Sequence, residues 1–475
     1  MAQSLDRREV ELARSARMSD PAAQQVIVVG AGLAGLACAL RMGELSRHRK
    51  LRLRVTLLEA RRRLGGRATS FLDQQSGEEI DNCQHVTMGC CSAYLDLLRE
   101  LDSLRHIEWF DEQYWMLSQG EGLSRRVRRS VIRPGKILGV GPGLVSHATS
   151  FVRASFLSLP SKLAIGQAAL AISTCDRTEH RDRTFIDWLA SQSQPHEAIE
   201  RFWRPIVVSA CNLDPERVCA ATALHVFQDG VFGGANAARI GIPNAPLARL
   251  YEHAESLLAS RGGQLLLGEA AEEITPTRVV TRIAGGTRVH NADAVVCALP
   301  FEKARRVVAQ RTNDPRFAAM DTFNHSPILG VHLRFDRPVL DVPHAVLVER
   351  DTQWLFRKDR EGRHIHAVIS AADAWMDLSE GQIATKVCED LHACFPASTT
   401  ARLEHIRAVK ERFATFAATP AFERSRPGPL AEDATSPQVI LAGDYTATDW
   451  PATMEGATRS GRIAADTAFN MLQRS

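Results

Sequence analysis

The sequence predicts an α/β protein in which a parallel-sheet domain is interrupted by an inserted α+β domain. Three observations predict it. Val26–Val29 is β-branched and uncharged, as befits a strand buried on both faces of a parallel sheet. Gly30, Gly32 and Gly35 follow at G-x-G-x-x-G spacing, and Leu36, Ala37, Ala39 and Leu40 continue as a helix. Strands of the same buried kind return far downstream, at Asn291–Pro300 and at Gln438–Asp444. The sheet begun at Val26 therefore resumes after a long insertion, which must form a domain of its own.

The spacing of the glycines has a chemical reason. Gly30 permits the tight turn, Gly32 lets a pyrophosphate approach the backbone, and Gly35 lets helix and strand pack closely. The phosphate then sits on the positive end of the helix. A second strand, Leu53–Leu58, ends at Glu59, whose carboxylate can take both ribose hydroxyls of an adenosine. This is a Rossmann-type pattern for a dinucleotide. Directly after it, Ala60-Arg-Arg-Arg-Leu-Gly-Gly-Arg67 sets a glycine pair among arginines. In most proteins such a stretch is a surface turn with solvated arginines. Just past the ribose-binding strand, it is placed to wrap the pyrophosphate and put guanidinium groups on it. An NAD-only domain needs no second clamp, so the expected cofactor is FAD.

Composition narrows the alternatives. At 475 residues the chain has room for two or three domains. Its 58 basic residues nearly balance 55 acidic ones, for a formal charge of +3, and the arginines are scattered. Nucleic-acid binding is not indicated. Ten cysteines occur without a C-x-x-C pair or His/Cys ligand spacing, which suits reduced thiols in a cytosolic protein and no metal site. The first two dozen residues mix Arg, Glu and Asp, unlike a signal peptide. No uncharged apolar run reaches the roughly 18 residues of an ordinary transmembrane helix.

Taken in order, residues 1–24 are expected to be a disordered extension and 25–90 the first part of the FAD-binding domain. In the latter, Phe71–Ile80 reads as a hairpin around Ser76-Gly77, and Asp81-Asn-Cys-Gln-His85 follows it. His85 is a candidate for the flavin edge. A helix is expected near Ala93–Leu101. Residues 91–235 are expected to be the helical part of a substrate domain. Its apolar segments between Trp109 and Thr174 are broken by Pro134, Pro142 and Pro160 and carry Arg153 and Lys162. They are too short to span a bilayer, and are expected to be ordinary core helices of a cap domain or short helices that line an apolar cavity or lie in a membrane surface. In the second case Phe151, Phe156 and Leu157 enter the acyl boundary while Arg153 and Lys162 snorkel to head groups. Thr184 is a plausible N-cap, with Asp187 at the third helical position.

Residues 236–305 return to the FAD-binding domain. A helix at Leu250–Ala259 leads to the strand Gln264–Leu267, the segment Glu269–Ile274 and a two-stranded excursion. Residues 306–430 carry strands at Ile328–Phe335, Ala345–Val348, Gln353–Phe356 and His364–Ile369, expected to be antiparallel and covered by a helix at Gly381–Cys394. Residues 431–475 close the first domain. Its strand ends at Gly443-Asp444, and the last helix starts at Thr453–Gly461. The N-terminus of that helix can face the pyrimidine ring of a flavin and stabilise negative charge there.

These residues in this order resemble the two-domain FAD-dependent amine oxidase and carotenoid desaturase superfamily, a glutathione-reductase-2-like architecture. Within it the chain is most similar to the hydroxysqualene dehydroxylases, also called squalene-associated FAD-dependent desaturases. The resemblance rests on Glu59–Arg67, Asp81–His85, Arg201-Phe-Trp-Arg-Pro205, Arg412-Phe-Ala-Thr-Phe416 and the long stretch Leu441–Ala457. It implies that Gly30, Gly32, Gly35 and Glu59 hold ADP and that Arg61, Gly66 and Arg67 lie along the pyrophosphate. It places the Gly443-Asp444 strand end at the ribityl and phosphate, and Met454 beside the flavin. Cys83 and Asp449 depart from the family pattern, each standing where glycine is usual.

The activity the resemblance implies is reduction of hydroxysqualene to squalene in squalene and hopanoid biosynthesis. An allylic alcohol would ionise with help from a proton donor and take hydride from reduced flavin. His85 is the first candidate donor and Asp449 the second, with Trp115 and Trp203 as aromatic faces for the cation. A carotenoid desaturase of the phytoene type is the alternative. An amine oxidase is disfavoured, because Thr453 stands where the aromatic cage would need a ring and the chain has only four tyrosines. A non-catalytic flavoprotein partner in a terpenoid assembly is the remaining class. The partner is a polyisoprenoid substrate. The electron donor is not legible, with NADPH a candidate. The expected location is cytoplasmic, peripheral at the inner face of the cell membrane.

Overall fold

The computed structural model describes residues 23–49, 51–120, 124–134, 147–234, 236–309, 314–431 and 437–474. Residues 1–22 of the expected extension and the apolar stretch 137–145 lie outside the described residues.

The chain opens with β1 (Gln24–Val29), α1 (Leu33–Arg49) and β2 (Leu53–Glu59). The helix α2 (Ser92–Glu100) follows a small hairpin in which Ser70–Leu72 pairs with Glu79–Asp81. Next come the strands β3 (Gln113–Gln119) and β4 (Arg126–Ile132) and the helices α3 (Ala148–Arg153), α4 (Leu159–Thr174) and α5 (Ala220–His225). The chain then returns to the first sheet with β5 (Gln264–Leu267) and β6 (Ala294–Cys297). A long excursion carries β7 (His325–Phe335), β8 (His344–Val348), β9 (Trp354–Arg357), β10 (His364–Ser370), α6 (Glu380–Cys394) and β11 (Leu403–Phe416). It ends with β12 (Ile440–Leu441) and α7 (Met454–Arg474).

Two sheets organise these elements. The first runs β5-β2-β1-β6-β12, with every pairing parallel. Alternate residues of β1 enter different cores: Val26 and Val28 pack with α1 and α7, while Ile27 and Val29 pack toward the substrate domain. Burial on both faces is why β1 reads as an unbroken apolar run. The second sheet runs β11-β7-β10-β9-β8-β3-β4 and is antiparallel except where β8 meets β3. Ser379 heads α6 with a capping box completed by Gln382.

Two expectations are corrected. The segment expected to be helical also supplies β3 and β4 to the second sheet. Arg126, Arg128 and Arg129 hid β4, because a charged outer strand lacks an apolar run, and such charge is what keeps a sheet edge from pairing further. The excursion after β5 has three strands, because Ala270–Thr275 pairs with Arg278–Ile283 and that with Gly286–Asn291.

Candidate cofactor and substrate site

The C-terminal ends of β1 and β2 build one end of the site. The turn Gly30–Leu33 and the turn Gly65-Gly66 lie side by side, the Gly65 amide donating to the Ala31 carbonyl at 3.0 Å. A Cβ on Gly66, which sits at φ +64°, would stand 3.0 Å from the Gly32 Cα, so this turn leaves no easy room for a side chain. A Cβ on Gly35 would meet the Gly30 carbonyl at 1.8 Å, which enforces the close helix–strand packing expected of that position. Glu59 ties the two turns together. Its carboxylate accepts from the Ala31 amide at 2.9 Å and the Arg61 amide at 2.8 Å, and the remaining lone pairs are available to a ribose. This cradle of bare backbone, closed by a carboxylate, fits an ADP group.

At the far end, β12 delivers Gly443 and Asp444. The Gly443 amide donates to Ser460 Oγ at 2.8 Å, fixing the strand end against α7. Asp444 is nearly buried, and Arg67 donates to its carboxylate at 2.6 Å and to the Ala414 carbonyl at 2.9 Å. Burial works against the Arg67 charge, but the Asp444 carboxylate outweighs it and holds the guanidinium above its ordinary value. The structure thus brings Arg67 and Asp444 together. Met454 starts α7 and borders the same space, and Glu455 beside it accepts from the Ala93 and Tyr94 amides at the head of α2.

Between these ends runs a cavity of about 1540 Å³. Gly30, Gly32, Glu59, Arg61, Gly66, Arg67, His85, Gly443, Asp444 and Met454 all border it. Its other arm is apolar, walled by Trp115, Phe151, Phe156, Ile165, Phe202 and Phe232. Trp115 stacks on Phe156 with ring centres 5.0 Å apart. The arm reaches α3 and α4 at Val152, Leu159, Lys162 and Leu163.

His85 is partly buried, with Nδ1 3.0 Å from the Cys83 carbonyl, and burial pushes its imidazole below the ordinary value. Asp449 does not join it. Its side chain is 66% exposed, stands 3.3 Å from Arg181 and does not border the cavity. The residue sits at φ +60°, a left-handed turn that throws the carboxylate outward while Trp450 turns in. Trp203 is also displaced from its expected role. It is fully buried in a core of Phe185, Phe202 and Phe227 and donates to Gln194, leaving Phe202 to face the cavity.

Sequence reasoning passed over His225 and Asp229. Both border the cavity, with His225 Nδ1 2.8 Å from an Asp229 carboxylate oxygen. The signal was the i,i+4 His/Asp spacing at the end of α5, which by itself describes many surface pairs.

The membrane expectation is corrected in its particulars. Phe156 and Leu157 are buried and Phe151 lines the cavity, so none of the three forms an outward apolar face. The outward residues are Val152, Leu159, Leu163 and Leu170, each at least 60% exposed. Among the described residues no helix is long and apolar enough to cross a membrane.

Comparison with known proteins gives a consistent picture. The protein family described as flavin containing amine oxidoreductase matches residues 33–468. Hydroxysqualene dehydroxylase of Rhodopseudomonas palustris is 28% identical over 469 residues, covering 93% of this chain and 97% of that protein. The 15-cis-phytoene desaturase of Synechococcus elongatus is 26% identical over 473 residues, covering 93% of this chain and 95% of the other. Among solved structures, cyclohexylamine oxidase from Brevibacterium oxydans shares the fold with a TM-score of 0.64 at 17% identity, over 95% of this chain and 100% of that one.

Proposed function

Because the chain belongs to the flavin containing amine oxidoreductase family, we propose that it is the FAD-dependent enzyme that reduces hydroxysqualene to squalene. The observation that carries this reading is the continuity of the dinucleotide cradle with a long apolar arm in one cavity. A neutral polyisoprenoid needs such an arm and has no use for a cation-binding cage.

FAD, when bound, supplies the hydride that replaces the hydroxyl group on carbon. The chain does the rest. Gly30, Gly32, Gly35 and Glu59 hold the ADP half, Arg61, Gly66 and Arg67 lie along the pyrophosphate, and Gly443 and Asp444 take the ribityl end. Met454 and the first turn of α7 lie at the pyrimidine edge, where the helix dipole favours negative charge. Trp115, Phe156 and Phe202 exclude water from the arm and present ring faces to an allylic cation. His85 lines the site with its imidazole held below the ordinary value by burial and its Nδ1 3.0 Å from the Cys83 carbonyl.

Substrate reaches the arm from a lipid surface. The exposed leucines of α4 adjoin the end of the arm formed by Leu159 and Leu163. Arg153 is exposed beside them, and Lys162 folds back onto the Val152 carbonyl at 2.8 Å. These exposed leucines support a peripheral seat at the cytoplasmic face of a membrane.

The test is an anaerobic single turnover. Pre-reduced holoenzyme mixed with hydroxysqualene should reoxidise its flavin while squalene appears in matching amount. Bleaching of the oxidised flavin by phytoene, with hydroxysqualene leaving the reduced flavin untouched, would make the protein a desaturase.

A further inference from the structure

The proposed reaction needs an acid at the departing hydroxyl, and the cavity holds one arrangement built for that task. The helix α5 ends at His225 and passes into a widened turn at Val226–Val231, in which the Phe232 amide donates to the Phe227 carbonyl five residues back. Such π-type turns re-aim side chains and recur at functional sites. Here the turn carries Asp229, whose carboxylate stands 2.8 Å from His225 Nδ1. His225 is 3% exposed and borders the cavity, and among the described residues neither ring nitrogen makes a hydrogen bond, the Asp229 carboxylate being an ion-pair contact at Nδ1. Its ring meets the Trp450 ring edge-on with centres 4.5 Å apart, which sets it beside the loop that heads α7.

Resting on the dehydroxylase reading, we propose that His225, oriented by Asp229, is the proton donor to the substrate hydroxyl. The proton passes from Nε2 to the hydroxyl oxygen and the carbon–oxygen bond breaks. Its electron pair leaves with water, and the allylic cation takes the hydride that reduced flavin supplies. The imidazole regains a proton from solvent before the next turnover. The Asp229 carboxylate is the ion-pair partner that orients the ring from its Nδ1 side, and Nε2 is left free of any hydrogen bond among the described residues. The neighbouring charges agree with that arrangement. Arg177 stands 3.3 Å from Asp229, and Arg459 of α7 lies over the Trp450 ring and pairs with Glu455. The Asp229 carboxyl is held below its ordinary value chiefly by His225, with Arg177 and Arg459 adding to it against burial. His85 lacks such a carboxylate, since its Nδ1 faces a backbone carbonyl.

The experiment compares holoenzyme with His225→Gln and Asp229→Asn, pre-reduced and given hydroxysqualene or the allylic chloride of the same skeleton. Chloride leaves without a proton. His225→Gln should slow reaction of the alcohol by about 10²-fold or more, in the range of general acid catalysis, and leave the chloride within about threefold of wild type. Equal slowing of both substrates, or an unimpaired alcohol reaction, overturns the proposal. A second readout does not depend on turnover. In aspartate-labelled holoprotein the carboxyl signal absent from Asp229→Asn should titrate at higher pH in His225→Gln, and an unchanged midpoint overturns the pairing. If wild-type enzyme gives no squalene from hydroxysqualene, the dehydroxylase reading fails first, and the titration still reports on the dyad.

Discussion

In the proposed site Glu59 has two jobs at once. Its carboxylate already holds the Ala31 and Arg61 amides, so it fixes the shape of both glycine turns before it meets a ribose. Glu59→Ala should therefore loosen FAD both by losing two charge-assisted hydroxyl contacts, each worth roughly 1.5–3 kcal/mol, and by relaxing the turns. Equilibrium dialysis of flavin should show at least about tenfold weaker binding, with Glu59→Gln in between because its amide oxygen still accepts one bond. Retention of FAD by the alanine variant at wild-type affinity would remove Glu59 from the site. This residue was singled out in the sequence because it ends the second strand just after the glycine turn, where a carboxylate can reach a ribose. His225 was not, because a His and an Asp four apart on a helix mark a site only after the fold has turned that helix inward. Asp449 misled in the opposite sense: its motif is right, but a positive φ points its side chain at Arg181.

Among the described residues, α4 carries an exposed apolar stripe. Leu159, Leu163 and Leu170 recur at helical spacing on the outside, while Ile165, Ala168, Ala169 and Ile172 fill the inside. A helix apolar all round usually belongs to a core, so the exposed stripe needs a lipid or a protein to cover it. Leu163→Asp should abolish sedimentation with anionic vesicles and leave the melting temperature within a few degrees. Phe156→Asp should instead destabilise the fold, because that ring is 1% exposed and stacked on Trp115. Unchanged vesicle binding by Leu163→Asp would count against the surface. The pairing of α1 with α7 is a second lesson at this scale. A Cβ on Gly461 would fall 2.0 Å from the Ala34 carbonyl, so the last helix crosses the first in backbone contact. Gly461→Ala should cost on the order of 1–3 kcal/mol by overpacking and shift the turn that presents Met454. Denaturant unfolding and flavin content would read both effects together.

For the whole molecule, the parallel sheet was legible because its inner strands β1 and β6 are buried on both faces and read as apolar runs. The seven-stranded sheet was legible only in part. Its central strands stand out as short apolar runs between turn residues, but β4 is coloured by arginines and β3 lies more than 200 residues from its partner β8. No local pattern announces a pairing across that distance. The same sheet buries a set of histidines. Burial pushes His344, fully enclosed among Phe110, Tyr114, Trp354 and Phe356, down to about 4. His364 is likewise pushed to about 4 by burial and then by His332, Arg334 and Lys358. His366 stacks on His332 with ring centres 3.8 Å apart, and both are held below the ordinary value, mainly by burial. Each lowered imidazole gives the same sign. Between pH 6.5 and about 4 the unfolded histidine binds a proton that the folded one refuses, so folding stability falls as pH falls through that window. The contribution approaches about 1.4 kcal/mol per pH unit for each such group, and above pH 5 the carboxylates add little to it. Urea unfolding of the enzyme from pH 7.5 to 5 should therefore show a steadily shrinking free energy with net proton uptake. His344→Phe, which keeps an aromatic ring among its four aromatic neighbours, should flatten that slope by close to one proton. An unaltered slope would mean that His344 takes up its proton inside the fold.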